Sequence, residues 1–217
     1  MNDHPENTNG RWTAIIAGSY SLHALMSRME PPPVISPFFE PNDCDIWVNC
    51  PNSAFLVMAA YDFTKEYPNH YMKHISVKKI PSYNLLHKAI QGIVEAHVGV
   101  PPVRIQMICW KARQEWCSSR EESLARSVIS SFDISVVKVA VTSVKVTGKM
   151  FLVDDEEVLE DVQTYKFSAQ MYSRESAQVF ENRVQKYKHR GFLLKKMKIA
   201  GMGWMRVEET NEGGIEE

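Results

Sequence analysis

Asp43-Cys44-Asp45-Ile46-Trp47-Val48 alternates polar and apolar side chains and reads as a strand. Residues two apart on a strand share a face, so Asp43 and Asp45 stand side by side. Two carboxylates placed there repel, and burying them uncompensated is costly or forces protonation. A divalent cation removes that cost. Magnesium is held by one or two carboxylates and leaves positions open for phosphate oxygens. Two such ions can clamp the attacking and the leaving oxygen of a phosphoryl transfer.

Upstream, the apolar run Trp12–Ala17 ends at Gly18-Ser19 and reads as a buried strand or a helix lead-in. Leu22, Leu25, Met26 and Met29 then follow helical spacing. A glycine lets the backbone approach a phosphate closely, and the N-terminus of a helix offers free N–H groups to an anion. The Ser19 hydroxyl adds a donor. Glu30-Pro31-Pro32-Pro33 stops the helix, and the stretch to Pro41, with five prolines and two phenylalanines, reads as a loop or surface insertion.

Downstream, Ser53 is placed to cap a helix running to about Tyr67, and 74–80 alternates as a strand. Pro81-Ser82 opens a predicted helix from Tyr83 to His97, with Leu86, Ile90, Ile93 and Val94 on one face and Val100-Pro101-Pro102 as its stop. Val103–Trp110 reads as a strand and Arg120–Ser130 as a helix. Asp133–Val141 is β-branched and nearly continuous, as expected of a central strand buried on both faces. Further strand-like segments lie at Val144–Val153 and Thr164–Met171, flanking the acidic Asp154–Asp161, which reads as a solvated turn or exposed helix. The last helix spans Ser173–Arg190 with Ser173 as cap.

Strands alternate with helices to residue 141 and then run together. The expected fold is a mixed α/β (α+β) sheet flanked by helices, with a short C-terminal helical extension. It occupies one domain, 12–206, between a flexible 1–11 and an acidic, disordered 207–217.

Asp133 opens a strand after a helix. A third carboxylate there would add a metal ligand and could draw the proton from an acceptor hydroxyl. Taken singly, each feature has a plain alternative: an Asp-x-Asp on a surface, a Gly-Ser turn and cap, a solvated aspartate at a sheet edge. Their order on matching elements favours chemistry.

Composition narrows the classes further. A chain of 217 residues with 44% hydrophobic and 24% charged residues is an ordinary globular protein of one or two domains. Its net charge of −1 means that nucleic acid must be met by a local patch. One such patch runs from Arg174 to Arg206, with nine Lys/Arg against two Glu. Arg183, Lys186 and Arg190 fall near one helix face and could guide a triphosphate or an RNA backbone. The alternative is a solvated helix whose charges pair with 154–161, with Phe180, Val184 and Tyr187 as core contacts. Lys78 and Lys79 could also reach phosphate, though a surface edge suits them better. Tyr20 and Trp47 could stack on a base, while packing is the simpler role for Trp47.

Cys44, Cys50, Cys109 and Cys117 form no CxxC and read as free thiols. No HExxH, GxSxG or Walker loop occurs. The polar Met1–Gly10 lacks a signal-peptide core, and no long apolar stretch spans a bilayer. A cytoplasmic or other reducing intracellular compartment, with no membrane, is expected.

Ile15-Ile16-Ala17-Gly18-Ser19, a helix, and then Asp43-Cys44-Asp45-Ile46-Trp47-Val48 resemble the DNA polymerase β-like nucleotidyltransferase superfamily. The spacing from Gly18 to Asp43 is longer than is usual there, and Pro31–Pro41 accounts for the excess. The blocks Gly18–His23, Asn42–Val48, Ser131–Ala140 and Arg183–Phe192 are similar to nucleotidyltransferase-like proteins of large DNA viruses and some microbial eukaryotes. The resemblance implies Mg²⁺ or Mn²⁺, a nucleoside triphosphate such as ATP, and release of pyrophosphate on transfer to a hydroxyl. It implies Asp43, Asp45 and Asp133 as catalytic metal ligands, and Gly18 and Ser19 as the triphosphate seat. The acceptor, RNA or a small molecule, stays open. Two alternatives remain: a catalytically silent binding module on the same scaffold, and an RNA-binding protein using the basic C-terminal helix.

Overall fold

The computed structural model describes residues 13–29, 39–41, 43–49, 56–58, 60, 76–78, 90–98, 103–110, 120–143, 145, 148–172 and 177–207. Its strands are β1 (Thr13–Ala17), β2 (Asp43–Asn49), β3 (Ser76–Lys78), β4 (Ile90–Val98), β5 (Val103–Trp110), β6 (Val139–Val141), β7 (Phe151–Val153), β8 (Lys166–Gln170), β9 (Leu193–Lys198) and β10 (Trp204–Arg206). The helices are α1 (Ser19–Met26), α2 (Arg120–Ile129), α3 (Glu156–Gln163) and α4 (Ala177–His189).

A seven-stranded sheet runs β3-β4-β5-β2-β1-β6-β7, and a three-stranded sheet runs β10-β9-β8. β2 and β5 are parallel, whereas β1 is antiparallel to both β2 and β6. In the small sheet, β8 and β9 are parallel and β10 is antiparallel to β9. A bridge between Ile134 and Ala169 links Asp133's segment to the small sheet. This is the mixed α/β architecture expected from the sequence.

Alternation along β2 separates two cores. Trp47 packs with Ile15, Ala17, Ile108 and Trp110 under α2, through Leu124, Val128 and Ile129. Cys44 and Val48 face the other way, with Val94, Ile105, Met107 and Cys109. Asp43 and Asp45 share Trp47's side, at the start of the strand. A third core joins α1, α3, α4 and the small sheet through Leu22, Met26, Phe39, Val162, Phe167, Val184 and Tyr187. Trp47 stands edge-on to Trp110 at 5.4 Å, so it packs rather than stacks on a ligand.

Several expectations are corrected. The predicted helix Tyr83–His97 is β4 from Ile90 onward. Ile93 lies in one core and Val94 in the other, so the apolar neighbours that mimic a helical stripe belong to a strand buried on both faces. Asp133–Val141 is not continuous: Ser135–Val137 form a 3₁₀ turn before β6. The Ser135 hydroxyl donates to Asp161 at 2.7 Å and accepts from Ser168 N–H at 2.8 Å, which draws the backbone out of the ladder. β7 occupies only the end of 144–153, after Gly148 at φ 72°.

Phe39 is only 1% exposed, so the proline-rich stretch ends in the core and is more than a surface insertion. The C-terminal extension is sheet as well as helix, because β9 and β10 form where no element was expected. Lys195-Lys196 and Lys198 disguise the alternation of β9. The acidic stretch is the helix α3, capped by Asp155, whose side chain accepts from Val158 N–H at 2.9 Å. Ser53, Lys79, Cys50, Cys117, most of 53–67, Ser173 and both termini lie outside the described residues. Cys44 and Cys109 are buried free thiols. No helix among the described residues is long and apolar enough to cross a membrane.

Candidate nucleotide and metal site

Gly18 sits between β1 and α1 with φ 99° and ψ −149°. That backbone conformation is open to glycine and strained for other residues. Its N–H donates to Val139 O at 3.3 Å, and its carbonyl receives the first α1 hydrogen bond, from Leu22 N–H, at 3.0 Å. The N–H groups of Ser19, Tyr20 and Ser21 therefore precede the helical ladder. Ser19 is buried at this end, whereas Tyr20 is exposed. A Cβ built on Gly18 would lie 3.6 Å from Asp45 Oδ2, so the helix start and the acidic pair are in contact.

Burial and then the neighbouring Asp43 push the Asp45 carboxyl up to about 7, against the opposing pull of Lys186 and Arg104. Asp45 Oδ1 is buried and has no hydrogen-bond partner. Such an orphaned acceptor is rare and marks an unmet ligand or a strained site. Asp43 has a partner: its Oδ2 receives a hydrogen bond from Arg104 Nη2. The same buried charges raise the Cys44 thiol to about 12, with burial the first cause and Asp45 and Asp43 adding to it. Cys44 is thus no nucleophile.

Lys186 on α4 faces the pair. Burial and Arg190 lower its ammonium, while Asp43 and Asp45 pull it back up. Arg190, just after α4, is only 4% exposed. Its guanidinium lies 4.8 Å from the Phe39 ring centroid and 5.1 Å from that of Tyr187. Nη2 donates to Glu40 O at 3.4 Å, while Nη1 is buried without a partner.

Asp133 is paired with α4. Arg183 Nε lies 2.9 Å from its Oδ2, and burial raises its carboxyl while Arg183 opposes the shift. Among the described residues no three of His, Cys, Asp and Glu are already grouped as a metal cage, while Asp133, Asp45 and Asp43 all act on the buried Tyr187 hydroxyl, whose pKa burial raises first. The structure brings Gly18, Asp43, Asp45 and Lys186 together, with Ser19 next to Gly18 and Arg190 acting on Lys186, and pairs Asp133 with Arg183 on α4.

The basic stretch divides in the same way. Arg183 serves Asp133, Lys186 faces the acidic pair, and Arg190 packs on aromatic rings. The acidic stretch pairs with Lys138, through Asp154 at 3.2 Å, and with the strand end of the basic stretch rather than its helix, through Glu157 to Lys195 at 2.9 Å and to Lys196. Phe180, Val184 and Tyr187 are core contacts, as expected.

Arg104 and Gln106 were not foreseen. β5 runs parallel to β2 with Arg104 opposite Asp43 and Gln106 opposite Asp45. Their polar alternation is visible in Val103-Arg104-Ile105-Gln106-Met107, but only the strand pairing places them beside the acids.

No protein-family model matches the sequence, and no curated protein is detectably similar to it. The likeness to viral and microbial proteins rests on sequence blocks alone. Among solved structures, a tRNA-processing enzyme in an apo form is similar at 15% identity and a TM-score of 0.47, over 84% of this chain and 39% of that one. A CCA-adding enzyme in complex with CTP is similar at 12% identity and a TM-score of 0.49, over 87% of this chain and 37% of that one. A Thermotoga maritima CCA-adding enzyme complexed with tRNA gives 14% identity and a TM-score of 0.46, over 84% and 35%. The chain thus spans less than two fifths of the length of these similar structures.

Proposed function

We propose that the chain is a metal-dependent nucleotidyltransferase, which moves a nucleoside monophosphate from a nucleoside triphosphate to a hydroxyl acceptor. Asp45 carries the proposal: a buried carboxyl pushed up to about 7, with one orphaned oxygen, beside Asp43 and against the glycine that starts α1. The residues fit a magnesium or manganese ion. Two adjacent carboxylates suffice, because such an ion completes its shell with water and substrate phosphates. When bound, the ion neutralises charge on the phosphate oxygens.

The chain's own residues do the rest. Gly18 keeps the backbone free of a side chain where the triphosphate approaches, and the leading N–H groups of α1 and the Ser19 hydroxyl receive its oxygens. Lys186 and the free Nη1 of Arg190 add positive charge from α4. Arg104 holds Asp43 in place. In the reaction the acceptor oxygen bonds the α-phosphorus, the α–β bridging bond breaks, and pyrophosphate leaves. Asp133, ion-paired with Arg183 on α4, would complete the acidic set as the third ligand of a bound metal ion.

Incubation with α-labelled ATP or CTP, Mg²⁺ and an RNA or small hydroxyl acceptor tests this. Wild type transfers label, whereas Asp45→Asn and Asp43→Asn lose it and unfold at least as late as wild type. Label transfer by Asp45→Asn overturns the assignment.

A silent binding module is the second reading, favoured by the ion pairs that hold Asp133 to Arg183 and Asp43 to Arg104. It predicts calorimetric binding of ATP with Mg²⁺ and no pyrophosphate release.

A further inference from the structure

The small sheet presents a face that the proposed site does not use. Residues 193–207 carry Lys195, Lys196, Lys198 and Arg206 and no acidic residue. In the β9–β10 pairing, Trp204 stands opposite Lys198, and Arg206 opposite Lys196. Directly opposed residues share a face, so these four side chains form one patch. Met197, which alternates with them, packs against the core on the other side. Trp204 is 48% exposed, with Lys196 Nζ 4.9 Å and Lys198 Nζ 5.8 Å from its ring centroid. Lys195 pairs with Asp161 at 2.5 Å and shares Glu157 with Lys196, at the edge of the patch. Glu157, on α3, pairs with Lys196.

An exposed indole ringed by cations on an open strand pair matches single-stranded nucleic acid: an unpaired base stacks on the ring while its phosphates meet the ammonium and guanidinium groups. Trp204 and Lys198 are not in the core, so the patch is a surface feature and not a by-product of packing. We propose that the outer face of β9 and β10, formed by Lys196, Lys198, Trp204 and Arg206, binds a single-stranded polynucleotide. The proposal deepens the function above by naming the acceptor class, and rests on that reading only for the strand's role as acceptor. Glu157 occupies Lys196 until a phosphate displaces it.

Fluorescence anisotropy with labelled RNA and DNA strands of about ten nucleotides, over a salt series, tests the binding directly. Wild type binds at low salt. Trp204→Ala weakens binding about tenfold or more, and Trp204→Phe restores most of it. Lys198→Ala lowers the salt slope by about one. Glu157→Gln tightens binding, since it frees Lys196 and loosens Lys195. Preference for RNA, for DNA or for neither supports the proposal and identifies the strand. Equal affinity of Trp204→Ala and wild type overturns it, as does no binding by wild type at low salt. A polyglutamate peptide that competes as well as the oligonucleotide at matched charge also overturns it, in favour of an acidic polypeptide partner. Asp45→Asn binds the strand like wild type, so failure at the acidic pair and failure at this patch are read separately.

Discussion

Asp45→Asn should stabilise the metal-free protein at neutral and higher pH. In the fold the Asp45 carboxyl is raised from 3.8 to about 7, first by burial and then by Asp43. Between those values the folded state holds a proton that the unfolded state releases. Stability therefore falls as pH rises through this window and levels off above about 7. At about 1.4 kcal/mol for each tenfold change in proton affinity, the whole difference is at most about 4 kcal/mol. Asparagine has the same shape and never ionises, so the variant escapes the loss. At pH 8 in chelator its melting temperature should exceed that of wild type by on the order of 10 °C, and at pH 4 the two should coincide. Mg²⁺ at pH 8 should raise wild type more than the variant, which keeps only Asp43 as a charged ligand for the ion. Thermal unfolding followed by circular dichroism from pH 4 to 8 is the assay. Parallel profiles for the two proteins would refute the claim that Asp45 is ionised at a cost in the fold.

Gly18→Ala should cost about 1–3 kcal/mol in urea unfolding from its backbone angle alone, since the added Cβ makes only ordinary contact with Asp45. Phe39→Ala should cost about 3–5 kcal/mol and release Arg190 from its aromatic support, which would show as weaker Mg²⁺-ATP binding by calorimetry. Arg104→Met removes a charge that favours ionised Asp45, so the pH midpoint of the Asp45 effect should move upward. Lys195→Met leaves Asp161, 1% exposed, without its cation and should destabilise by about 3–5 kcal/mol in denaturant titration.

Local chemistry made half of the site legible before any coordinates. Alternation from Asp43 to Val48 places two carboxylates on one face whatever the surrounding fold. Gly18-Ser19 before a run of helical spacing announces a helix start. Those two signals depend on residues close in sequence, and both appear in the structure. Strands with strong alternation, such as 103–110, were equally clear. β4 was not, because Ile93 and Val94 are adjacent and both buried, and a short apolar run of that kind fits a helix stripe and a doubly buried strand alike.

Tertiary structure decided which distant charges meet. Asp133 begins an apolar run, and its ion pair with Arg183 is set by the packing of α4, which nothing near either residue in sequence announces. Arg104 and Gln106 join the acidic pair only because β5 lies parallel to β2 in one register. Lys186 and Arg190 share a helix face, but the packing of Phe39 and Tyr187 turns one toward the acids and buries the other between rings. The periodicity of a chain sets which side of its own element each residue occupies. Which element stands opposite depends on the closure of long loops and the fit of three cores, and those are properties of the whole fold.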